Sequence, residues 1–330
     1  MLDRKKIILI SKDAMGRFYL PVYGNTYWKT PNIDELAKKG TVFYRHYTAA
    51  PSSAMSYTSM FWSIDSFNTK RKDWRPVKGE NYGDTLFDKA EALGYKCYII
   101  WDKKWMTTAK IYSECYGKNT VFHPIEDFQQ CVGAHFPHKG ELSPSDEKAQ
   151  IALEKLYRQL EEIVKTEERV FVWLHFPHVI NGRTCYGADI DLFDKAIGKI
   201  REWFKDDSIY ITADHGNMNG EKGKICYGFD VYEPAVSIPL ITPRIGNESK
   251  VTIPTSNVDL YGIIFKQVIV EKEFVYSDTA YYAQPNRRLA IIYGKWKYIY
   301  SQPSIGLSII RRIAIHKFFF NNYLFKNYAI

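Results

Sequence analysis

The chain has 330 residues, of which 45% are hydrophobic and 25% are charged, a balance that is typical of globular proteins and excludes disordered and fibrous classes. This length accommodates one large α/β domain or two ordinary domains, and either can bury a sizeable core. No apolar run approaches the roughly 20 residues that a membrane span requires. The apolar run at residues 7–10 is too short for the core of a secretion signal, so we do not expect export.

The five cysteines are widely spaced and none belongs to a CxxC pair. This usage argues against a disulfide framework or a zinc knuckle. It predicts reduced, mostly buried thiols in a cytoplasmic protein.

The excess positive charge lies at the C-terminal end. The net charge is +8, and residues 279–330 contain eight basic and no acidic side chains. Residues 305–330 are also rich in Ile and Phe, which suits contact with an anionic surface, either a membrane or a polysaccharide. The alternative is a C-terminal helix that packs on the domain with its Arg and Lys side chains reaching solvent. We expect a cytoplasmic protein, peripheral to the inner face of the membrane, and no nucleic-acid partner.

In chain order, predicted strands alternate with predicted helices. The continuous apolar run at 5–11 is typical of a strand buried on both faces, and residues 30–40 begin with a Thr cap and a Pro and end at Gly, as helices do. The remaining predictions are strands at 41–48, 95–101, 169–176 and 208–213, and helices at 53–63, 84–94, 143–166 and 189–206. This alternation predicts an α/β fold with a mostly parallel central sheet and helices on both faces.

A shift in composition near residues 243–254 divides the chain. We expect a catalytic core at 1–245, a smaller C-terminal part of the same domain at 246–304, and a basic aromatic tail at 305–330. Residues 293–302 are typical of one strand of a hairpin in the smaller part.

Polar side chains follow four of the predicted elements. Asp13 comes after the first strand, Ser53 begins a helix, His178 follows the strand at 169–176, and Asp214 and His215 follow the strand at 208–213. Ligands bind at the carboxyl ends of the strands in open α/β sheets, so these side chains should meet at one edge. Oxygen and nitrogen ligands of this kind suit Mn²⁺, Mg²⁺, Ca²⁺ or Zn²⁺.

Each of these residues has a structural alternative when it is taken alone. Asp13 and the segment 214–216 suit strand-end turns, Ser53 suits a helix cap, and His175 and His178 suit core imidazoles with satisfied hydrogen bonds. The combination is more specific than any of its members.

Several segments resemble the sulfatase and alkaline phosphatase superfamily. TPNIDELAKKGTVFYRHYTAAPSSAMS (30–56) is similar to its TPN-x-D-x-L-A-x-x-G signature, and ITADHGNMNG (211–220) is similar to its metal motif. YEPAVSIPLI (232–241), TSNVDLYGII (255–264) and IILISKDAM (7–15) match three further segments. The resemblance implies an alkaline-phosphatase-like three-layer sandwich with a small C-terminal subdomain.

Two departures from the sulfatase pattern bear on function. Sulfatases carry C/S-x-P/A-x-R, whose first residue becomes formylglycine, but here Met55 and Tyr57 take the Pro/Ala and Arg positions, so we expect Ser53 to stay a hydroxyl. Ala14 stands where sulfatases have a second Asp. The remaining set is similar to the one-metal pattern of lipoteichoic acid synthases and phosphoethanolamine transferases, which use a Thr nucleophile.

The resemblance assigns a role to each site residue. One divalent ion (Mn, Zn, Ca or Mg) is held by the metal ligands Asp13, Ser53, Asp214 and His215. Ser53 is the nucleophile and His178 contacts the substrate oxygens or the leaving group. An anionic phosphoester or sulfate ester is bound with help from Lys104, Arg183 and His175. The histidine for a second metal falls on Tyr227, which argues against a second ion.

Three functions remain open from the sequence. The first is a phosphotransferase or phosphodiesterase that uses an unmodified Ser53 on a glycan or lipid-linked substrate. The second is a sulfatase in the strict sense, and the third is a non-catalytic binding protein with the same fold.

Overall fold

The computed structural model describes residues 4–70, 80–103, 116–126, 128, 147–177, 190–279 and 287–301. The strands in this part of the chain are β1 (Lys6–Lys12), β2 (Thr41–Phe43), β3 (His46–Tyr47), β4 (Lys96–Asp102), β5 (Val121–Ile125), β6 (Val170–Phe176), β7 (Ile209–Ala213), β8 (Met218–Asn219), β9 (Ile225–Cys226), β10 (Ser237–Ile238), β11 (Leu240–Thr242), β12 (Lys250–Val251), β13 (Thr255–Ser256), β14 (Val275–Asp278), β15 (Arg288–Tyr293) and β16 (Trp296–Ser301). The α-helices are α1 (Pro31–Lys39), α2 (Ser53–Trp62), α3 (Leu86–Ala92), α4 (Glu147–Thr166), α5 (Ile190–Ile200) and α6 (Glu233–Val236).

Eight strands form the central sheet in the order β12-β2-β11-β7-β1-β6-β4-β5. The five strands from β7 to β5 are parallel, whereas β11 runs antiparallel to both of its neighbours. A second, antiparallel sheet of β14, β15 and β16 lies in the C-terminal part. The predicted α/β fold with a mostly parallel sheet is confirmed.

Helices cover both faces of the central sheet because alternate residues of each strand face opposite sides. On β1, Ile8 and Ile10 belong to a buried cluster with side chains of α1, α4 and α5. Ile7 and Leu9 belong to a second cluster with side chains of α2 and α3. The chain therefore forms three layers around two hydrophobic cores, as the continuous apolar run of β1 predicts.

Two elements differ from the sequence predictions. The predicted strand at 41–48 is two strands, because β2 pairs in the central sheet while β3 pairs with β10 and β13 in a separate sheet. The predicted helix at 189–206 ends at Ile200, and Arg201 then pairs with Asp206 across the following turn. Pairing with distant segments divides the first, and residues 41–48 contain no Gly or Pro that would mark the break in the sequence. The second ends two residues after Gly198, where the local ion pair of Arg201 with Asp206 closes the turn.

In the part of the chain that the structure describes, every helix is too short or too polar to cross a bilayer.

Candidate metal-dependent active site

The register of three parallel strands brings Asp13 and Asp214 together. Lys12 of β1 pairs with Phe176 of β6 and with Ala213 of β7, so Asp13 and Asp214 are the next residues of neighbouring strands. The Asp13 amide continues the ladder by donating to the Phe176 carbonyl at 2.8 Å. Both carboxylates therefore lie at the carboxyl ends of strands, the edge where ligands bind in such sheets.

The Asp214 carboxylate is fixed by three donors. Its Oδ1 accepts from the backbone amides of Ala14 at 3.0 Å and of His215 at 2.8 Å, and its Oδ2 accepts from the Tyr57 hydroxyl at 3.1 Å. Ala14 reaches its position with a φ of 53°, a left-handed conformation that a non-glycine residue rarely adopts. A carboxylate has about four lone-pair positions, so these three bonds leave Oδ2 one position for a cation.

The imidazole of His215 turns its Nε2 toward the carboxylates. Its Nδ1 lies 2.8 Å from the Gly216 carbonyl oxygen. Because a carbonyl only accepts, Nδ1 carries a proton, and in the neutral imidazole Nε2 then has the lone pair. That lone pair lies 3.0 Å from Ser53 Oγ, whose hydroxyl donates to it.

Ser53 is delivered to the site by the start of α2. The preceding residue, Ser52, is the N-cap, and the first intrahelical bond runs from the Ser56 amide to the Ser52 carbonyl. The Ser56 hydroxyl in turn donates to the backbone carbonyl of Asp214 at 2.6 Å and accepts from the side-chain amide of Asn257 at 2.9 Å. Sequence reasoning missed Ser56, which ties the helix to the residue after β7, and Asn257, which donates to Ser56. The position of Ser56, three residues after Ser53 and next to it on the helix surface, was the available signal.

His175 is buried beneath the site, with 1% of its surface exposed. Its Nδ1 lies 2.9 Å from Ser11 Oγ, and the Tyr57 oxygen lies 2.8 Å from its Nε2 and 3.0 Å from its Nδ1. Burial, followed by the charges of Asp214 and Asp13, raises the pKa of Tyr57 well above its usual value. Tyr57 therefore stays protonated and acts as a donor.

The donor atoms fit one divalent ion. Ligand atoms of Asp13, His175 and Asp214 all lie within 4.8 Å of one another. His215 Nε2 lies 3.9 Å from an oxygen of Asp13 and 3.5 Å from Oδ2 of Asp214. Atoms that share a tetrahedral ion at about 2.1 Å are about 3.4 Å apart, so this spacing suits a cation between them. Carboxylate, imidazole and hydroxyl donors leave the identity of the ion open.

Two neighbours shape the loop after Asp214. The Tyr227 ring packs on the His215 imidazole with its centroid 4.4 Å away, at the position where the resemblance places a histidine for a second metal. Gly216 is required because a Cβ there would lie 2.0 Å from the Pro234 carbonyl oxygen. The loop is therefore pressed against the start of α6, and an aromatic ring covers the imidazole.

The structure brings together the four side chains predicted to bind the ion, Asp13, Ser53, Asp214 and His215. Lys104, His178 and Arg183 lie outside the described residues. Their predicted roles in substrate binding and leaving-group contact stay predictions.

Comparison with known proteins identifies the family. The family model described as Sulfatase matches residues 5–268. An arylsulfatase of Clostridium perfringens is 32% identical over 97 residues, which are 29% of this chain and 20% of that protein. The chain thus matches about a fifth of the length of this curated relative.

Solved structures show the same fold. A 2-O GAG sulfatase is similar with a TM-score of 0.67 and 13% identity, covering 98% of this chain and 92% of that chain. The phosphonate monoester hydrolase of Agrobacterium radiobacter is similar with a TM-score of 0.65 and 15% identity, covering 97% of this chain and 94% of that chain. The predicted three-layer fold and the resemblance to the sulfatase and alkaline phosphatase superfamily are confirmed. Members of this superfamily bind a metal ion, and these neighbours hydrolyse sulfate or phosphonate esters.

Proposed function

Because the chain belongs to the sulfatase family, we propose that it is a metal-dependent phosphotransferase or phosphodiesterase that uses unmodified Ser53 as its nucleophile. The substrate is an anionic phosphoester on a glycan or a lipid-linked molecule. The observation that carries the proposal is the hydroxyl of Ser53 at 3.0 Å from His215 Nε2, in a helix start without the formylglycine signal. Met55 and Tyr57, both buried, stand where that signal has Pro or Ala and Arg.

Ser53 and the start of α2 supply the reacting groups. Ser53 Oγ forms a bond to phosphorus as the bond to the leaving oxygen breaks, and the serine proton passes to that oxygen, which gives a phospho-serine and a released alcohol. An acceptor hydroxyl or water then attacks phosphorus and releases Ser53. The amides of the first turn of an α-helix have no intrahelical acceptor, so those of α2 are available to donate to the phosphate oxygens, and the helix N-terminus favours their negative charge.

A divalent ion, when bound, supplies positive charge that lowers the pKa of the serine hydroxyl and stabilises the phosphate oxygens. Asp13, Asp214 and His215 would hold it beside Ser53. The hydrogen bond from His215 Nδ1 to the Gly216 carbonyl keeps Nε2 directed at this position. His178 is proposed to contact the leaving group.

An anionic surface is proposed as a further partner. Trp296, Tyr298 and Tyr300 alternate along β16 and expose 68%, 64% and 51% of their surfaces. They share one face, and the basic aromatic segment 305–330 follows in sequence. Aromatic side chains beside basic groups suit the interface of an anionic membrane, so we propose peripheral contact there. Location at the cytoplasmic leaflet stays a prediction.

A second candidate is a sulfatase in the strict sense. The family description and the arylsulfatase of Clostridium perfringens favour it. A plain serine argues against it, because sulfate transferred to Ser53 would remain as an ester that hydrolyses poorly. Phosphate on Ser53 passes on to water or to an acceptor.

Paired assays separate the two candidates. The metal-loaded chain should hydrolyse an aryl phosphodiester faster than the corresponding aryl sulfate, and intact-mass spectra should show Ser53 unmodified or carrying a phospho-adduct after the phosphodiester is added. The loss of two hydrogens at Ser53, which marks formylglycine, together with faster sulfate release, would establish the sulfatase. Turnover of neither ester by a chain that binds metal favours a binding protein.

A further inference from the structure

Tyr57 lies one helical turn after Ser53 and reaches beneath the metal-binding residues. Its side chain is 4% exposed, and its hydroxyl is 3.1 Å from Asp214 Oδ2 and 2.8 Å from His175 Nε2. The hydroxyl therefore sits between a predicted metal ligand and a buried imidazole. It contacts the one carboxylate oxygen of Asp214 that the backbone amides leave free.

The direction of the hydrogen bonds is set at both ends. Trp173 Nε1 only donates, and it donates to Ser11 Oγ at 2.9 Å. At the other end, the Asp214 carboxylate only accepts, so the Tyr57 proton points to it. Between them, Ser11 Oγ can donate its proton to Nδ1 of His175, at 2.9 Å. In that tautomer His175 carries its proton on Nε2, which lies 2.8 Å from the Tyr57 oxygen, while Nδ1 lies 3.0 Å from the same oxygen.

We propose that Tyr57 and His175 are positioning residues, which orient the free oxygen of Asp214 toward the divalent ion without binding ion or substrate themselves. An Nε2 that carries a proton has no lone pair for a cation. His175 is thereby assigned to the support of the site, although its ring lies within reach of Asp13 and Asp214. The inference rests on the metal site of the proposed function and assigns the ion to the other four side chains.

The surroundings of Tyr57 make this support rigid. Its ring packs edge-on against Trp101 and Trp173, with centroids 5.5 and 5.1 Å away, and stacks on Phe61 at 5.9 Å. An aromatic frame of this kind restricts the ring to one orientation, and the Asp214 carboxylate beside its hydroxyl is fully buried. Replacing Tyr57 by Phe keeps the frame and removes only the hydroxyl.

The arrangement departs from the sulfatase pattern. In the sulfatase pattern an Arg occupies the position of Tyr57, and here a neutral phenol fills it. A phenol donates one hydrogen bond without adding a positive charge beside the ion. The carboxylate is thus held by a group that does not repel the cation.

The test is Mn²⁺ titration of the full-length chain after removal of metal with a chelator. Tyr57→Phe should raise the Kd for Mn²⁺ by about 10–100-fold, as loss of a group that orients a ligand does. The matched control is Tyr210→Phe. The Tyr210 hydroxyl is also buried, and it accepts hydrogen bonds from Arg4 and Gln267. Tyr210 lies near the start of β7, whereas Asp214 follows the end of that strand. The control should leave the Kd unchanged within about twofold. Equal Kd values for the two variants would overturn the proposal.

His175→Phe distinguishes support from ligation. If His175 is a positioning residue, its loss should raise the Kd for Mn²⁺ by a similar factor. The double variant with Tyr57→Phe should then bind Mn²⁺ no more weakly than either single variant. Loss of Mn²⁺ binding as complete as in Asp214→Ala would make His175 a ligand and overturn the assignment.

Ser11→Ala provides a smaller change if Tyr57→Phe does not fold. It removes the donor to Nδ1 of His175 and should raise the Kd in the same direction, and an unchanged Kd would count against the proposal. No substrate is turned over in these titrations. A chain that binds Mn²⁺ but cleaves neither ester would refute the proposed function and leave this inference standing.

Discussion

Ser53 Oγ lies 3.0 Å from Nε2 of His215, although 162 residues separate them in sequence. The contact depends on two independent anchors. One is the α2 start, which presents Ser53 directly after its N-cap, and the other is the strand end that carries Asp214 and His215. Because Nδ1 of His215 is committed to the Gly216 carbonyl, rotation of the ring is restricted and Nε2 faces Ser53.

Ser53→Ala should abolish turnover and leave the fold intact. The half-buried hydroxyl is hydrogen-bonded to His215, so its removal should disturb the fold little. Loss of a nucleophile lowers kcat by on the order of 10⁴-fold or more. Ser52→Ala is the matched control, since Ser52 Oγ is buried with no hydrogen-bond partner among the described residues. Steady-state rates with an aryl phosphodiester measure both. An inactive Ser52→Ala beside an active Ser53→Ala would shift the nucleophile by one residue.

Asp214→Ala should remove the metal. The carboxylate occupies the centre of the site, with its Oδ2 3.5 Å from His215 Nε2. Asp194→Ala is the control for loss of a buried carboxylate, because the hydrogen bonds that Asp194 accepts in the described part of the chain come from Asn32 and Ile33 at the start of α1. It should cost about 1–3 kcal/mol of stability and keep its metal. Elemental analysis of the two purified variants measures their metal content. Equal metal content would refute the proposed role of Asp214 as a metal ligand.

The sequence predicted the strand ends better than the contacts beneath them. Asp13, Asp214 and His215 follow apolar runs, and the rule that ligands bind at the carboxyl ends of parallel strands predicts their meeting. In the structure, Lys12 pairs with Phe176 and with Ala213, and this register places Asp13 beside Asp214.

The support of the site could not be predicted in the same way. Tyr57 stood out in the sequence only as a departure from the Arg of the sulfatase pattern. Its hydroxyl contacts depend on how deeply α2 packs against β6 and β7, which periodicity does not give. Asn257 joins the site from a segment 201 residues beyond Ser56, and only tertiary packing makes that contact.

His46 should make stability fall as the pH is lowered. The imidazole is fully buried, and burial, with a smaller effect of Lys272, lowers its pKa from 6.5 to about 3. Between these values the unfolded chain binds a proton that the folded chain does not, so stability is complete above the unfolded pKa and is lost below it. From pH 7 to pH 5 this loss is about 2 kcal/mol.

His46→Gln removes this titration and keeps a polar group near Thr255, which lies 3.0 Å from His46 Nδ1. Urea unfolding at both pH values should show a smaller pH-dependent loss in the variant than in the unchanged chain. Parallel losses in the two proteins would show that His46 is protonated in the folded state.

Residues 305–330 should bind anionic vesicles together with the aromatic face of β16. Arg311 and Arg312 belong to this segment, and each basic residue near an anionic leaflet contributes about 1 kcal/mol. Reversal of both charges, Arg311→Glu with Arg312→Glu, should therefore weaken binding to phosphatidylglycerol vesicles by at least about 30-fold. Co-sedimentation at low and at high salt measures the loss, since salt screens the attraction.

Arg158→Glu is the control for this experiment. Arg158 is exposed on α4 and pairs with Glu154 at 3.8 Å, so its reversal changes net charge at a residue that does not belong to the proposed surface. Binding of the control should fall by much less than that of the double variant. Trp296→Ser should also weaken binding in high salt, because burial of an aromatic ring at the interface is not screened. If the full-length chain does not bind anionic vesicles, the alternative is supported, in which the segment packs on the domain.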